Sequence, residues 1–197
     1  MIAAVYSQNG RVRLVDLGGD RQSYWGIVPR DYLDRYEVTV TLVNLPGTSK
    51  RGDYGRFEFV HADACNLDIY EDGSFDIAHS NSVIEHVGDW NRMSAFSREI
   101  ARIAPRYFVQ TPYFWFPIEP HFVAPFFHWL PKSLRVWFFL HWRVGLWGKS
   151  QTREEAVSVV EGIRLLDRKR FQALFRDADI TTETVLGLPK SLIAIKR

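Results

Sequence analysis

Apolar residues along this chain fall in short runs broken by glycine, proline and polar turns. Val12, Leu14 and Val15 predict a buried strand over 12–17 that stops at Gly18-Gly19. Residues 22–35 can form a helix, which Pro29 would kink or divide. Val38, Val40, Leu42 and Val43 predict a second strand, closed by Asn44-Leu45-Pro46-Gly47. Residues 47–56 are polar and glycine-rich, so a full crossover helix hardly fits there. Phe57 to His61 is a third strand, Asp72-Gly73 a turn, and Phe75 to Ser80 a fourth strand. Met93, Phe96, Ile100 and Ile103 then recur at helical spacing, with Asp89 or Asn91 as the cap and Pro105 as the stop. Tyr107, Phe108 and Val109 begin a fifth strand that Pro112 closes. Residues 153–161 read as a helix, and Asp167 caps another that carries Phe171, Leu174 and Phe175. Thr181 to Leu186 and Leu192 to Ile195 predict two final strands, joined through Gly187-Leu188-Pro189-Lys190.

Strands alternating with helices imply a mostly parallel α/β sheet covered on both faces. The closing pair implies a hairpin that adds an antiparallel C-terminal strand. An open sheet of this kind binds its ligand at the carboxyl ends of its strands, where the strand order reverses. The ends of the first four strands are therefore the expected site. The opening strand, its glycine turn and the helix after it make a nucleotide cradle, because a residue without Cβ lets a ligand approach the backbone. A plain turn would have the same look.

Residues 112–150 depart from the rest in composition. They hold five of the seven tryptophans and seven of the 14 phenylalanines. We read them as an aromatic-rich insertion within a single 1–197 domain, placed after strand five to act as an acceptor-binding lid. Ordinary core packing under the sheet is the alternative. Residues 132–147 plot as a helix with a basic stripe of Lys132, Arg135 and Arg143. The wide remaining face includes Leu134, Trp137 and Trp147, and suits contact with a membrane surface or with a second subunit in a homodimer.

The other totals narrow the picture. A net charge of +2 makes no case for nucleic acid. The single cysteine, Cys65, allows no internal disulfide and fits a reducing compartment. No metal-type Cys/His spacing occurs, so no metal is expected. The N-terminus lacks the basic start of a signal peptide, and no apolar run is long enough to span a membrane. A cytoplasmic protein able to sit at a membrane periphery is the expectation.

The strand ends carry a series of motifs. Leu14-Val15-Asp16-Leu17-Gly18-Gly19 comes first, then Val43-Asn44-Leu45, then Ala62-Asp63-Ala64-Cys65-Asn66-Leu67. Ser74-Phe75-Asp76-Ile77-Ala78-His79-Ser80-Asn81-Ser82-Val83-Ile84-Glu85-His86-Val87 completes it. Their order and spacing resemble the class I S-adenosylmethionine-dependent methyltransferases of the small-molecule type, over residues 12–111 and, less closely, the last strand pair. The resemblance implies a doubly wound, Rossmann-like sheet and S-adenosylmethionine as cofactor. It also implies roles. Asp16, Gly18 and Gly19 would pass under the methionine part. Asn44, with Leu45, stands where the family usually has an acid on the ribose hydroxyls. Asp63, with Ala64 beside it, would accept from the adenine amino group. Ser80 and Asn81 would lie beside the sulfonium, and Glu85-His86 matches the Glu-His that often follows.

Two positions depart from the family pattern. Asp20 and Gln22 replace later glycines, and Asn44 replaces an acid; both changes would weaken the cofactor grip. Little chain precedes strand one, where relatives often carry a helix.

Candidate catalytic residues are Glu85, His86 and His121. An imidazole suits proton removal near neutrality, and a satisfied histidine at a helix start is the other reading of His86. In Phe116-Pro117-Ile118-Glu119-Pro120-His121 the two prolines make a rigid turn that can aim the acid and the histidine, or can pin a loop for folding. His61 and His79 read as structural, and Cys65 as an apolar filler. The expected activity is methyl transfer to oxygen or nitrogen of a small or lipid-linked metabolite. A catalytically weak module that binds a partner or membrane through the insertion is the rival, and a nicotinamide-dependent oxidoreductase ranks last.

Overall fold

A computed structural model describes residues 1–19, 25–47 and 55–197. Its centre is a seven-stranded sheet. In chain order the first five strands are β1 (Val12–Leu17), β2 (Val38–Asn44), β3 (Phe57–His61), β4 (Ile77–Asn81) and β5 (Arg106–Pro112). A two-stranded ribbon follows, β6 (Ile118–Glu119) with β7 (Ala124–Pro125), and then the closing strands β8 (Asp179–Val185) and β9 (Leu188–Lys196). The sheet order is β3-β2-β1-β4-β5-β9-β8. The first five strands pair in parallel, while β9 runs antiparallel to both β5 and β8. This is the expected mostly parallel sheet with an antiparallel C-terminal strand. The chain moves outward through β2 and β3 on one side of β1, then returns to β4 on the other. The switch point thus lies between the carboxyl ends of β1 and β4.

Helices cover both faces. Alternate residues of a strand face opposite sides, and here the two sides have different partners. Val12, Leu14, Val40, Leu42 and Ile77 pack against Val5 of α1 (Ile2–Asn9), Leu33 of α2 (Arg30–Arg35) and Trp25. Val15, Leu17, Val43, Ala78 and Val109 pack against α3 (Trp90–Ile103) and Phe171 of a later helix. Helix α3 presents Met93, Phe96, Ile100 and Ile103, all buried, at the spacing that the sequence predicts. Full burial of such side chains stabilises by about 1.5–3 kcal/mol each. Asp89 caps this helix, accepting from the Arg92 amide at 3.0 Å.

The insertion carries its own apolar cluster. Phe122, Phe127, Val136, Phe139 and Val144 pack with Ala156 and Val160 of α5 (Arg153–Glu161). The cluster therefore reaches past residue 150, drawing α5 onto α4 (Lys132–His141). Asp167 caps α6 (Arg168–Leu174) as expected, accepting from the Arg170 amide at 2.8 Å.

Four local expectations need correction. Helix α1 fills the space ahead of β1, where the expectation is of little chain and no helix. It is only eight residues long, buries one side chain and has no side-chain cap, so its pattern is weak. Among the described residues of the 22–35 segment, Trp25 is π-helical, 26–29 are not helical, and the α-helix begins only at Arg30, just after Pro29, because proline fits a helix start and not its interior; residues 20–24, with Asp20 and Gln22, lie outside the described residues, as do 48–54. The predicted 132–147 helix stops at His141, and Trp142 is extended. Gly145 then turns at φ +56° against the Phe122 carbonyl, where a Cβ would lie 1.3 Å from that oxygen. Arg143 therefore leaves the helix and the basic stripe does not form. Lys132 pairs instead with Glu161 of α5. Finally, β8 and β9 join through a tight turn at Leu186-Gly187, both at positive φ, so Leu188 is already in β9.

Candidate active site

Register sets the geometry at the switch point. Asp16 of β1 lies directly beside His79 of β4 in the parallel ladder. Asp16 is buried, and its two carboxylate oxygens accept from His79 Nδ1 at 2.7 Å and from Trp25 Nε1 at 2.6 Å. The described bonds of Asp16 thus go to the protein's own core. His79 is structural, as the sequence suggested, and Trp25 is its unforeseen partner.

The next residue but one is Gly18, at φ +78°, with its amide bonded to the Val43 carbonyl of β2 at 2.8 Å. A Cβ on Gly18 would stand 2.4 Å from Val83 Cγ2. A Cβ on Gly19 would stand 1.8 Å from Asp16 Oδ2. Both glycines are therefore required by the protein's own packing, before any ligand is considered. Val83 and the preceding Ser82 close this side of the turn. Ser82 sits at φ +56°, a strained position for a non-glycine residue, at the end of β4. Neither residue stood out in the sequence.

The other predicted cofactor residues line the same edge. Asn44 ends β2 and donates from Nδ2 to the Gly19 carbonyl at 2.9 Å, tying the second strand end to the glycine turn. Leu45 beside it is exposed. Asp63 follows β3 and accepts from the Cys65 amide at 2.9 Å. Arg92 of α3 holds both its oxygens, at 3.0 Å and 2.9 Å. Partial burial opposes ionisation of Asp63, but the Cys65 amide and the Arg92 charge outweigh it and lower the pKa. Ala64 is half-buried beside it. Ser80 is buried and donates to the Leu17 carbonyl at 3.1 Å, locking β4 to β1. Asn81, half-buried at the mouth, accepts from the Ser82 hydroxyl at 3.2 Å. Cys65 is buried, and burial pushes its thiol up to about 11, as befits a filler.

The three predicted catalytic residues come together. Glu85 and His86 sit on a short 3₁₀ turn (Ile84–His86) after β4, and His121 reaches back to them from the insertion. His86 Nε2 and His121 Nε2 lie 2.8 Å apart. His86 Nδ1 contacts the Gly162 carbonyl at 3.2 Å, and His121 Nδ1 contacts Glu119 at 2.5 Å. A carbonyl and a carboxylate only accept, so both Nδ1 atoms donate. One shared proton then bridges the two Nε2 atoms. Glu85 is wholly buried; its Oε2 accepts from Thr111 Oγ1 at 2.9 Å, and its Oε1 lies 3.9 Å from His121 Nε2.

Electrostatics follow from these contacts. Burial pushes the Glu85 carboxyl up to about 7. Desolvation and the neighbouring His121 lower the pKa of His86. Desolvation also works against a charged His121, but the Glu119 hydrogen bond and charge, with Glu85, raise it overall. Glu119, Thr111 and Gly162 all support this cluster, and of these only Glu119 carried a sequence signal.

A cavity of about 290 Å³ opens beside Glu119, between the insertion and the segment after α5. Lys132, Arg135, Arg164 and Arg170 line it, against the carboxylates of Glu119 and Glu161. Burial lowers the pKa of Arg135, the most enclosed of these cations.

Comparison with known proteins agrees with this geometry. Residues 30–106 match the methyltransferase domain family. No curated protein matches the chain. Among solved structures, an O-methyltransferase family protein from Burkholderia thailandensis is 16% identical, with a TM-score of 0.53 over 100% of this chain and 55% of its own. The 1,6-didemethyltoxoflavin-N1-methyltransferase of the same organism, solved with its namesake compound and S-adenosylhomocysteine, is 17% identical at a TM-score of 0.50 over 99% and 76%. Phosphoethanolamine N-methyltransferase 2 of Haemonchus contortus is 14% identical at a TM-score of 0.53 over 93% and 38%. The chain thus spans little more than half of the first of these. Its fold is that of the class I S-adenosylmethionine-dependent methyltransferases.

Proposed function

We propose that this chain, with methyltransferase-domain sequence over residues 30–106 in the class I fold, transfers a methyl group from S-adenosylmethionine to oxygen or nitrogen of a small or lipid-linked metabolite. The observation that carries this reading is the edge at the switch point. There the Gly18-Gly19 turn, Asn44 and Asp63 close the first three strands side by side. These residues fit the cofactor. The turn brings the backbone of Gly18 to the surface, with Val83 packed along one side of it. Asn44 spends its amide nitrogen on Gly19 and keeps its oxygen for a ribose hydroxyl. Asp63 keeps acceptor capacity for the adenine amino group beside its bonds to Cys65 and Arg92.

The cofactor supplies an electrophilic methyl group, so the protein's task is alignment, exclusion of water and handling of the acceptor's proton. His86 and His121 are suited to that proton, since their Nε2 atoms already share one and Glu119 steadies the charged ring. The cavity beside Glu119, with four cationic side chains against two carboxylates, suits an acceptor that bears an anionic group. Calorimetric titration with S-adenosylhomocysteine, with NAD as the control, tests the reading. Tight binding of the first and none of the second is expected; the reverse would make the chain an oxidoreductase.

Asp63→Ala is expected to weaken S-adenosylhomocysteine binding by about 1–3 kcal/mol, the scale of one lost buried hydrogen bond. Arg92→Ala removes the same ion pair but leaves the acceptor in place, so it should bind more tightly than Asp63→Ala. Equal affinity in wild type and Asp63→Ala would remove Asp63 from the adenine site.

A second reading concerns how the acceptor is reached. All five tryptophans of the insertion are exposed, as is Leu146 beside them. No described helix is long and apolar enough to cross a membrane. The exposed indoles support contact with a membrane surface or with a second copy of the chain. Co-sedimentation with anionic liposomes and the mass in solution test both. A monomer that ignores liposomes would leave the insertion as an acceptor lid alone.

A further inference from the structure

We propose that Glu85, His86 and His121 form a binding site for a first-row divalent transition-metal ion. One ligating atom from each lies within 4.8 Å of those of the other two, and His121 Nε2 stands 2.8 Å from His86 Nε2 and 3.9 Å from Glu85 Oε1. Three features point to a cation rather than to a chance cluster.

The first is an unmet need. Glu85 is wholly buried, and its Oε1 has no hydrogen-bond partner. Buried polar atoms are nearly always satisfied, and an orphaned carboxylate oxygen is costly. This one faces His121, and a cation between them would satisfy it.

The second is the outer layer of contacts. Each ligand is held by its other polar atom. Glu119 holds Nδ1 of His121, the Gly162 carbonyl holds Nδ1 of His86, and Thr111 holds Oε2 of Glu85. Ligating histidines characteristically donate their far nitrogen to a carboxylate or a backbone carbonyl, which fixes the ring and directs the free lone pair at the metal. Both forms of that support occur here, one on each ring.

The third is size. With metal–nitrogen and metal–oxygen distances of about 2.0–2.2 Å, tetrahedral donors stand about 3.3 Å apart. The observed 2.8 Å between the Nε2 atoms and 3.9 Å from Glu85 to His121 fall on either side of that. Side-chain rotations on the order of an ångström would bring the three donors to tetrahedral spacing around one ion. Two imidazoles and one carboxylate suit zinc, cobalt or manganese, and disfavour calcium and magnesium, which take oxygen ligands. Three protein ligands leave a position open, the pattern of catalytic rather than structural ions. The ion would take the place of the proton shared by the two Nε2 atoms; if the methyltransferase reading holds, an acceptor hydroxyl bound there would lose its proton to the ion's field rather than to the imidazoles.

The test is titration of the metal-stripped full chain with Co²⁺, read by visible absorption, and with Zn²⁺, read by calorimetry and by metal content after dialysis. One ion per chain is expected, unaffected by excess Mg²⁺. His86→Ala, at an exposed position, and Glu85→Gln should each weaken Zn²⁺ binding on the order of 100-fold, and Glu119→Gln by about 10–100-fold. If Glu85→Gln does not fold, His86→Ala and Glu119→Gln decide the matter. Absence of a Co²⁺ band, or Zn²⁺ affinity unchanged in His86→Ala, would overturn the site. S-adenosylhomocysteine titrations on the same preparations separate the two claims. Loss of metal binding with cofactor binding intact would sink the metal site alone, and the converse would sink the methyltransferase reading alone.

Discussion

Asp16→Ala is expected to destabilise the protein by about 2–6 kcal/mol, because it withdraws one acceptor from two buried donors, at about 1–3 kcal/mol each. The donors are Trp25 Nε1, at 2.6 Å, and His79 Nδ1, at 2.7 Å. Nothing near can replace the carboxylate from outside, since Asp16 is only 1% exposed. A domain has about 5–15 kcal/mol of stability in total, so this is a large share. In a chain of this size each kcal/mol moves the melting midpoint by about 2–4 °C, so a fall of about 4–24 °C should follow. Asp16→Asn keeps an acceptor oxygen for one donor but turns an NH₂ group toward the other, and should fall between wild type and alanine. Urea unfolding of the two variants, with Trp25→Phe to close a double-mutant cycle, measures the coupling. A loss under about 1 kcal/mol for Asp16→Ala would show that the two hydrogen bonds contribute little net stability. The prediction also separates two roles. If Asp16 serves the fold first, Trp25→Phe should weaken S-adenosylhomocysteine binding only through the turn that follows Asp16.

Much of the sheet was legible because its signals are local. Runs such as Val38 to Val43 are bounded by turn residues, and a buried parallel strand needs little more than that. Asp89 and Asp167 announced their helices because a cap is a neighbour-to-neighbour bond. What failed is what depends on distant packing. Helix α1 earns its place by seating Val5 against β1 and β2, which its eight residues alone do not reveal. The 132–147 helix was overextended because periodicity continues past His141, whereas the chain turns there to press Gly145 on Phe122. The site shows the same division. Glu85, His86 and His121 were each visible as residue types. Their meeting depends on the insertion folding back across 35 residues, and a spacing rule cannot contain that. Trp25, Thr111 and Gly162 act only through contacts made in three dimensions. They were therefore invisible in a string.

Gly18→Val is expected to abolish measurable S-adenosylhomocysteine binding, a loss on the order of 100-fold or about 2.7 kcal/mol. Two independent effects act on the turn. At φ +78° a β-branched residue is strained, at a cost of about 1–3 kcal/mol. Its Cβ would also stand 2.4 Å from Val83 Cγ2, so the Val83 side chain must move. The first collision is thus with the protein, and stability should fall along with affinity. For that reason the milder Gly18→Ala, alone and combined with Val83→Ala, is the decisive pair. Removing the Val83 methyls relieves the overlap but leaves the backbone strain, so the double variant should regain part of the lost stability. The position of the turn would still be altered where the cofactor lies against it. Binding should therefore remain well below wild type even where folding recovers. If the folded double variant instead binds S-adenosylhomocysteine within twofold of wild type, the Gly18 backbone does not touch the cofactor, and the cradle must be sought elsewhere along the strand ends.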